Sequence, residues 1–483
     1  MSRYAATLIA ATLSVTLAGC RVGPNYVRPE FETDAAWAGS GEALFNQATP
    51  ETIETWWLEL GDPVLTGLIE EAFESNLDLA TAFQNVRRFA ALRGRAVAEL
   101  FPDIDGTGSY NWERAGANGF PQTPNAESFE TASIGGVFGW ELDVWGRIGR
   151  LVESADADLA ASVEDLRDVR VLIAAQVATD YVRLRTAQAR REIAERNIEI
   201  QSQSLELTQV RANEGAAPRL DVAQAETNLA TTQAELPSID AEIRDSLLSL
   251  AVLLGKNPTA LLDELAEPTP IPMPPTEISV GIPVDVIRRR PDVRSAERVL
   301  AAETARIGVE TADLLPRFVL SGSFQYSAAD GRTLFESNSY GFGFGPSFNW
   351  NLFNAGGERA DIRAQEAAAE IAFIGYRASV LDAIQEVESS LYRHARQVEQ
   401  TEALARASTA AAESAELSKE LYLEGRTDFQ NVLDSERQLF AAEDGLIQSQ
   451  SDVTTTYIVL QRSLGGGWSP SPRDAESSDE RSD

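Results

Sequence analysis

The chain has 483 residues and a formal net charge of −33 at pH 7, with 74 Asp and Glu against 41 Lys and Arg. That balance excludes a nucleic-acid partner, because neutralising phosphates takes clustered Lys and Arg. One His, two Met and one Cys leave little for a transition-metal site, the length exceeds one ordinary domain, and 43% hydrophobic content allows a core.

Arg3 precedes an apolar run from Tyr4 to Ala18 that closes as Leu17-Ala18-Gly19-Cys20. Charge, then a short apolar stretch, then small residues is the order of a secretory signal, here residues 1–19. The run is too short and too rich in small side chains for a good spanning helix. Cys20 is the only cysteine, so it forms no internal disulfide. The Leu-Ala-Gly-Cys stretch resembles the bacterial lipobox. That resemblance implies cleavage before Cys20, which then carries a covalent N-acyl diacylglycerol. Arg21 follows rather than Asp, so the inner-membrane retention signal is absent. The alternative is an ordinary signal peptide with an incidental thiol.

Residues 20–62 read as an irregular, extended segment with Pro24, Pro29, Pro50 and the pair Trp56-Trp57. Helical periodicity runs from Pro63 to about Leu100, and Phe101-Pro102 stops it. Two strands follow, at about 103–113 and 131–143, joined by a polar loop with Gly116, Asn118, Gly119, Pro121 and Pro124. Ile104, Tyr110 and Trp112 share a face of the first strand; Ile134, Phe138, Trp140 and Leu142 share a face of the second. A helical hairpin over 147–255 turns at Glu214, Gly215 and Pro218, with a kink expected at Pro237. Residues 256–283 form a Pro-rich linker and equatorial region. Helix resumes at about 284–314 and Leu315-Pro316 stops it. Strands at about 317–327 and 339–351 precede a second hairpin over 357–464 that turns at Gly425. The tail from Ser469 is polar and acidic without an aromatic, and reads as disordered.

Between Tyr340 and Trp350 the even positions are Tyr340, Phe342, Phe344, Pro346, Phe348 and Trp350, and the odd ones are Gly, Ser or Asn. A strand sends successive side chains to opposite faces. One aromatic face against one bare or polar face, over roughly 9–11 residues, is the pattern of a membrane β-strand. Phe318, Leu320, Phe324 and Tyr326 in the preceding strand repeat it. The expected lipid-facing set is therefore Phe318, Leu320, Phe324, Tyr326, Tyr340, Phe342, Phe344, Phe348 and Trp350. A Gly-rich strand in a soluble sandwich is the other reading of this stretch alone.

The chain is a two-fold internal repeat of helix, strand, strand, long helix, turn, long helix. Trp140/Trp350, Leu142/Leu352, Gly146/Gly356, Gly215/Gly425, Val222/Val432, Glu226/Glu436 and Leu254-Gly255/Leu464-Gly465 are 210 residues apart, while Asp78/Asp292 and Pro102/Pro316 are 214 apart. The four-residue slip falls between the strands, where a hairpin loop tolerates it. The fold class is mainly α with membrane β. Four strands cannot close a barrel, and an open edge in lipid leaves backbone groups unpaired, so several copies must contribute strands. The long helices, about 65 residues at 1.5 Å each, are on the order of 100 Å in length. Val380, Ile384, Val387, Leu391 and Val398 keep coiled-coil spacing, with His394 at the intervening seam position, read as packed rather than proton-handling.

The Arg-Arg-Pro-Asp-Val stretch at 289–293, the closing Leu-Gly-Gly-Gly-Trp at 464–468, the Trp-Trp-x-x-Leu-Gly-Asp-Pro opening at 56–63 and the Gly-Pro-Asn-Tyr-x-Arg-Pro start at 23–29 resemble the outer-membrane lipoprotein channels of tripartite efflux pumps. The resemblance spans about residues 20–468. It implies a homotrimer with a twelve-stranded β-barrel in outer-membrane lipid and a twelve-helix periplasmic tunnel. It also implies a periplasmic adaptor and an inner-membrane transporter of the resistance-nodulation-division class as partners. A passive conduit needs no catalytic group, and the sequence offers no nucleotide-binding Gly-rich loop, metal-spaced His/Cys cluster or convincing triad.

In the resembled family the hairpin tips meet the adaptor, here Gly215, Gly425 and Arg426. There a Leu and an Asp, or two Asp residues, ring the periplasmic gate; the matching positions are Gln430, Asn431 and Asp434. Asp434 fits, Gln430 stands where the family has Leu, and Asn431 stands where some members have a further Asp. In a trimer three Asp434 carboxylates near the axis would repel one another and attract cations. The plainer alternative is a solvated helix residue in (i, i+3) contact with Arg437. A type I secretion duct and, from a different class, a soluble periplasmic coiled-coil scaffold are the rival functions; drug and metal efflux both stay open.

Overall fold

The structure is a computed structural model and describes residues 21–31, 34–41, 44–46, 53–114 and 128–469. The signal segment 1–19, Cys20, Pro50, the loop residues Gly116, Asn118, Gly119, Pro121 and Pro124, and the acidic tail from 470 onward lie outside the described residues. In chain order, after a 3-10 turn at Ala38–Gly41, come β1 (Phe45–Asn46), a second 3-10 segment (Ile53–Leu60), α1 (Pro63–Ser75), α2 (Leu77–Ala98), β2 (Asp103–Arg114) and β3 (Ser128–Leu142). Then follow α3 (Arg147–Asn213), α4 (Arg219–Leu253), β4 (Ile278–Ser279), α5 (Pro283–Arg289), α6 (Pro291–Asp313), β5 (Arg317–Ala328), β6 (Tyr340–Asn349), α7 (Gly357–Leu423) and α8 (Phe429–Ser463).

The repeat is visible element by element. Helices α3 and α7 are 67 residues each and α4 and α8 are 35 each, every pair offset by 210 positions. The two hairpin turns are the same motif. Gly215 has φ +76° and Gly425 φ +72°. The N–H groups of Gly215 and Ala216 donate to the carbonyls of Ala212 and Arg211, and those of Gly425 and Arg426 to Tyr422 and Leu421. That is a Schellman ending, which needs a left-handed residue and so favours glycine.

Two expected helices are broken. The stretch from Pro63 to Leu100 is interrupted at Asn76, whose Oδ1 accepts from the N–H of Asp78 and Leu79 at 2.8 and 3.0 Å while its Nδ2 donates to the Leu253 carbonyl at 2.8 Å. A side chain that caps a new helix start ends the old one. The stretch 284–314 is interrupted at Arg290, because Pro291 disfavours helical backbone in the residue before it. Helix α4 carries on through Pro237. Strand β6 ends at Asn349, so Trp350 stands just past the strand in which it was expected.

The chain forms two compact units. The first is built from the described parts of Met1–Glu30, Asn85–Val163 and Ser295–Arg377. It contains one antiparallel sheet in the order β2-β3-β5-β6. Beside it the residues after Arg21 are tied down by Arg150, which is 1% exposed. Its guanidinium donates to the carbonyls of Val22 and Gly23 and to Asn25 Oδ1 at 2.7 Å. The N-terminal Gly-Pro-Asn-Tyr motif is thus held by a buried charge with its donors satisfied, as burial requires.

The second unit is built from the described parts of Phe31–Gln84, Glu164–Arg294 and Ala378–Asp483. Its core gathers Trp56, Leu65, Ile69, Val177, Tyr181, Leu184, Leu250, Val387, Leu391, Tyr457 and Leu464. The Arg-Arg-Pro-Asp and Leu-Gly-Gly-Gly-Trp motifs clasp each other. Arg289 and Arg290 donate to the carbonyls of Trp468 and Ser463, and the Arg289, Arg294 and Arg167 guanidiniums approach the Trp468 ring at 5.7, 5.4 and 4.7 Å. Gly467 N–H donates to the carbonyl of Ile53, joining the Trp-Trp opening to the same clasp. Strands β1 and β4 pair in parallel here. His394 is 2% exposed, its Nδ1 lies 3.0 Å from Thr456 Oγ1, and its ring packs between Phe45 and Tyr457. Burial pushes its imidazole down to about 4, so it is neutral near pH 7 and serves packing.

Candidate functional site

Two surfaces bear on function. The first is the sheet of the first unit. Residues opposite one another across a ladder point to the same face. The rungs read Ile104–Phe138–Gly322–Phe344, then Gly108–Ile134–Tyr326–Tyr340, Gly136–Phe324–Phe342, Trp140–Leu320–Pro346 and Leu142–Phe318–Phe348. The aromatic positions of the described strand residues named above therefore fall on one face. The other face carries Asp105–Val137–Ser323–Gly343, Thr107–Gly135–Gln325–Gly341 and Glu141–Val319–Ser347. It is polar or bare with few exceptions.

The aromatic face is open. Phe342, Phe344 and Phe348 are 75, 71 and 67% exposed, and Ile104 75%. Phe324 and Tyr340 are also exposed, while Phe318, Leu320 and Tyr326 are half-buried by their neighbours within the face. Rings touch along it: Phe318 with Phe348 at 6.2 Å, Phe324 with Tyr340 at 5.2 Å, Phe138 with Phe344 at 6.3 Å. Exposed apolar patches of this kind mark surfaces meant for lipid or a partner. Two tryptophans border it. Trp140 Nε1 donates to the Leu100 carbonyl at 2.9 Å and Trp350 Nε1 to the Leu314 carbonyl at 3.0 Å, a repeated bond in the two halves. Among the described residues no helix is long and apolar enough to cross a membrane.

The second surface is the pair of hairpin tips in the second unit. Gly215, Gly425 and Arg426 are all exposed, and Arg426 pairs with Glu424 at 3.0 Å. Below the Gly425 turn the chain builds a small core of Tyr422, Phe429, Val432, Leu433 and Ala225. Arg211 lies over the Tyr422 ring at 4.4 Å and donates to the Tyr422 carbonyl at 2.9 Å. These contacts hold the first turn of α8. They leave Gln430 and Asn431 exposed and Asp434 half-exposed along one side of it.

The three expected gate residues form local bonds. Gln430 Nε2 donates to Asp434 Oδ1 at 3.0 Å, and Asn431 Nδ2 donates to Thr427 Oγ1 at 2.7 Å. Arg437 lies 3.7 Å from Asp434 Oδ1 and its Nε donates to Asn228 Oδ1 on α4 at 2.9 Å. So the (i, i+3) pair does form, and Asp434 is joined through Arg437 to α4. Gln224, the repeat mate of Asp434, carries no charge, so the two hairpins differ at this level.

Sequence reasoning missed Glu436, two residues beyond Asp434. It is 3% exposed, accepts a short hydrogen bond from Ser204 Oγ on α3, and its Oε2 has no hydrogen-bond partner among the described residues. Burial raises its pKa, with Ser204 and Lys419 acting in the opposite direction. Its repeat mate Glu226 is exposed. The two share a residue type and a helical position, so only packing distinguishes them. Among the described residues there is no group of three or more His, Cys, Asp or Glu side chains able to hold a metal ion.

The chain matches the model of the family described as "Outer membrane efflux protein" over residues 68–256 and 282–466, one segment in each repeat. It is 32% identical to Nodulation protein T of Rhizobium leguminosarum bv. trifolii over 459 residues, covering 95% of this chain and 96% of that protein. It is also 32% identical to the Solvent efflux pump outer membrane protein SrpC of Pseudomonas putida over 461 residues, covering 94% of this chain and 97% of that protein. Among solved structures it is similar to the outer-membrane channel OprN, with a TM-score of 0.87 and 35% identity over 93% of this chain and 100% of that one.

Proposed function

The chain belongs to the outer membrane efflux protein family, and on that premise we propose that it is the outer-membrane exit channel of a tripartite efflux pump. It is a passive conduit for drugs, solvents or other toxic compounds. It acts as a homotrimer with a periplasmic adaptor and an inner-membrane transporter of the resistance-nodulation-division class. Three copies of the four-stranded sheet supply twelve strands for a closed barrel. The hairpins α3-α4 and α7-α8 of three copies supply twelve helices for the periplasmic tunnel.

The observation that carries this reading is the segregation of the sheet. An aromatic face turned to lipid and a polar face turned to a water-filled lumen is what a membrane β-strand requires. A soluble coiled-coil scaffold has no use for an exposed aromatic face in each half.

The sites follow from the same reading. Cys20 carries the acyl anchor; the clamp of Arg150 on the residues just after Arg21 supports a fixed attachment point. Gly215, Gly425 and Arg426 are the adaptor-contact tips, which their exposure supports. Gln430, Asn431 and Asp434 narrow the periplasmic end of the pore, with Asp434 as its charged ring. The surface position of all three on the first turns of α8 supports this. A polar Gln430 in place of an apolar gate residue makes that ring a hydrated one.

Electron microscopy of the detergent-extracted mature protein tests the whole. Threefold particles with a detergent-coated end are expected. A monomeric rod extracted without detergent would overturn the channel.

A further inference from the structure

The internal repeat of the chain sets the register in which one copy meets the next, provided that the barrel reading above holds. In one copy, β2 and β6 are the two edges of the sheet, each paired on one side only among the described residues. An edge left open in lipid would strand a row of backbone N–H and C=O groups.

The repeat relates the strands by fixed steps: β2 to β5 by 214 residues and β3 to β6 by 210. These steps can be checked inside the sheet. They convert the observed pair Asp103–Gly139 into Arg317–Asn349, Ile104–Phe138 into Phe318–Phe348, and Gly108–Ile134 into Gly322–Phe344. All three products are observed rungs of the second hairpin. The repeat therefore preserves register as well as strand order.

The junction between the two halves is β3 against β5, where Val137 faces Ser323, Ile134 faces Tyr326 and Leu142 faces Phe318. In a closed ring the junction of β6 with β2 of the next copy takes the equivalent place. Moving β3 forward by 210 and β5 back by 214 converts these three pairs into Ser347–Ser109, Phe344–Trp112 and Leu352–Ile104. We propose that β6 pairs antiparallel with β2 of the neighbouring copy in this register, Ser347 opposite Ser109 of the partner subunit.

The register has two consequences that fit the rest of the sheet. The register joins like faces: Phe344, Pro346 and Leu352 meet Trp112, Tyr110 and Ile104 of the partner subunit, and Asn349 meets Thr107 of the partner subunit. A slip of one residue would reverse every side chain of one strand. Exposure agrees as well. Leu142 and Phe318 are half-buried at the inner junction, whereas their mates Leu352 and Ile104 are 77 and 75% exposed in a single copy. The pair left uncovered is the pair the register brings together. The two junctions differ at one point. Trp145 Nε1 donates to the Pro316 carbonyl at 2.9 Å across the inner junction, and its mate Ala355 has no side-chain donor, so the seam between copies lacks that bond.

A disulfide scan in isolated outer membranes tests the register against slips of two residues, which keep the faces. Residues directly opposite have Cβ atoms roughly 4.5–5.5 Å apart and diagonal ones roughly 7–8 Å. Ser347→Cys with Ser109→Cys should give covalent dimers and trimers on oxidation, reversed by reductant and several-fold more abundant than with Ser347→Cys paired to Thr107→Cys or Asn111→Cys. Val137→Cys with Ser323→Cys, the inner equivalent, is the positive control, read as loss of free thiol. Dominant crosslinking of either slipped pair overturns the register. So does an oxidised inner control beside an unlinked seam pair in a protein that still migrates as a trimer. A wild-type protein that is not a detergent-requiring oligomer would instead sink the channel reading beneath it.

Discussion

Gln430 Nε2 donates to Asp434 Oδ1 at 3.0 Å, one helical turn apart on α8. The proposed gate thus has an amide holding its carboxylate where the resembled channels place an apolar side chain. Asp434→Ala removes the charge and should raise single-channel conductance several-fold and admit large antibiotics to cells carrying the variant. Gln430→Leu should act in the other direction, because an apolar ring dries a constriction. Planar-bilayer conductance of both variants checks this; an unchanged Asp434→Ala leak would count against the gate.

Glu436 provides a pH test beside the gate. Burial raises its folded-state pKa, so the stability tied to its protonated form is fully present below the unfolded value of about 4.3 and is lost as pH rises through the folded value. Glu436→Gln keeps an acceptor for Ser204 Oγ and removes the charge. Melting of the detergent-solubilised protein should then be higher than wild type near pH 7, by about 1 kcal/mol, and the difference should shrink toward pH 4. Equal pH profiles would show that Glu436 is solvated or paired.

The two faces of β5 and β6 should respond oppositely to charge. Phe344→Arg places a cation on the aromatic face, at a cost of about 2–4 kcal/mol if that face meets the bilayer midplane. Ser323→Arg on the polar face should be tolerated. Yield of assembled trimer from outer membranes reads both, and equal tolerance would contradict the assignment of faces.

Cys20→Ser should abolish acylation. Incorporation of labelled fatty acid into the wild type but not the variant is expected, with persistent label in the variant refuting the lipobox.

Gly425 has φ +72° and open space where a Cβ would stand. Gly425→Ala therefore meets no neighbour and suffers only the left-handed backbone, a cost of roughly 1–2 kcal/mol. The effect should be local, seen as faster amide exchange in residues 419–430 with little change in the melting of the remainder.

The repeat, the alternation of the strand faces and the hairpin turns were all legible in the amino-acid order. Each is written in short-range pattern: period-two alternation in β6, glycines at 215 and 425 where a Schellman ending needs them, proline after each helix that feeds a strand. Asp434 lies on α8 just past the Gly425 turn, and it was singled out by the family resemblance rather than by spacing. Chemically similar residues in different environments were not legible. Glu226 and Glu436 occupy matching positions, yet only Glu436 is buried, because burial depends on which helix packs across it. The interruptions at Asn76 and Arg290 likewise followed from contacts remote in sequence or from a local restriction set against strong helical periodicity. The Arg-Arg-Pro-Asp and Leu-Gly-Gly-Gly-Trp motifs are about 170 residues apart in the chain, and only the folded chain shows them to be two halves of one clasp. Pattern along the chain fixes which face a side chain takes within its own element. What covers that face is decided by partners far away in sequence.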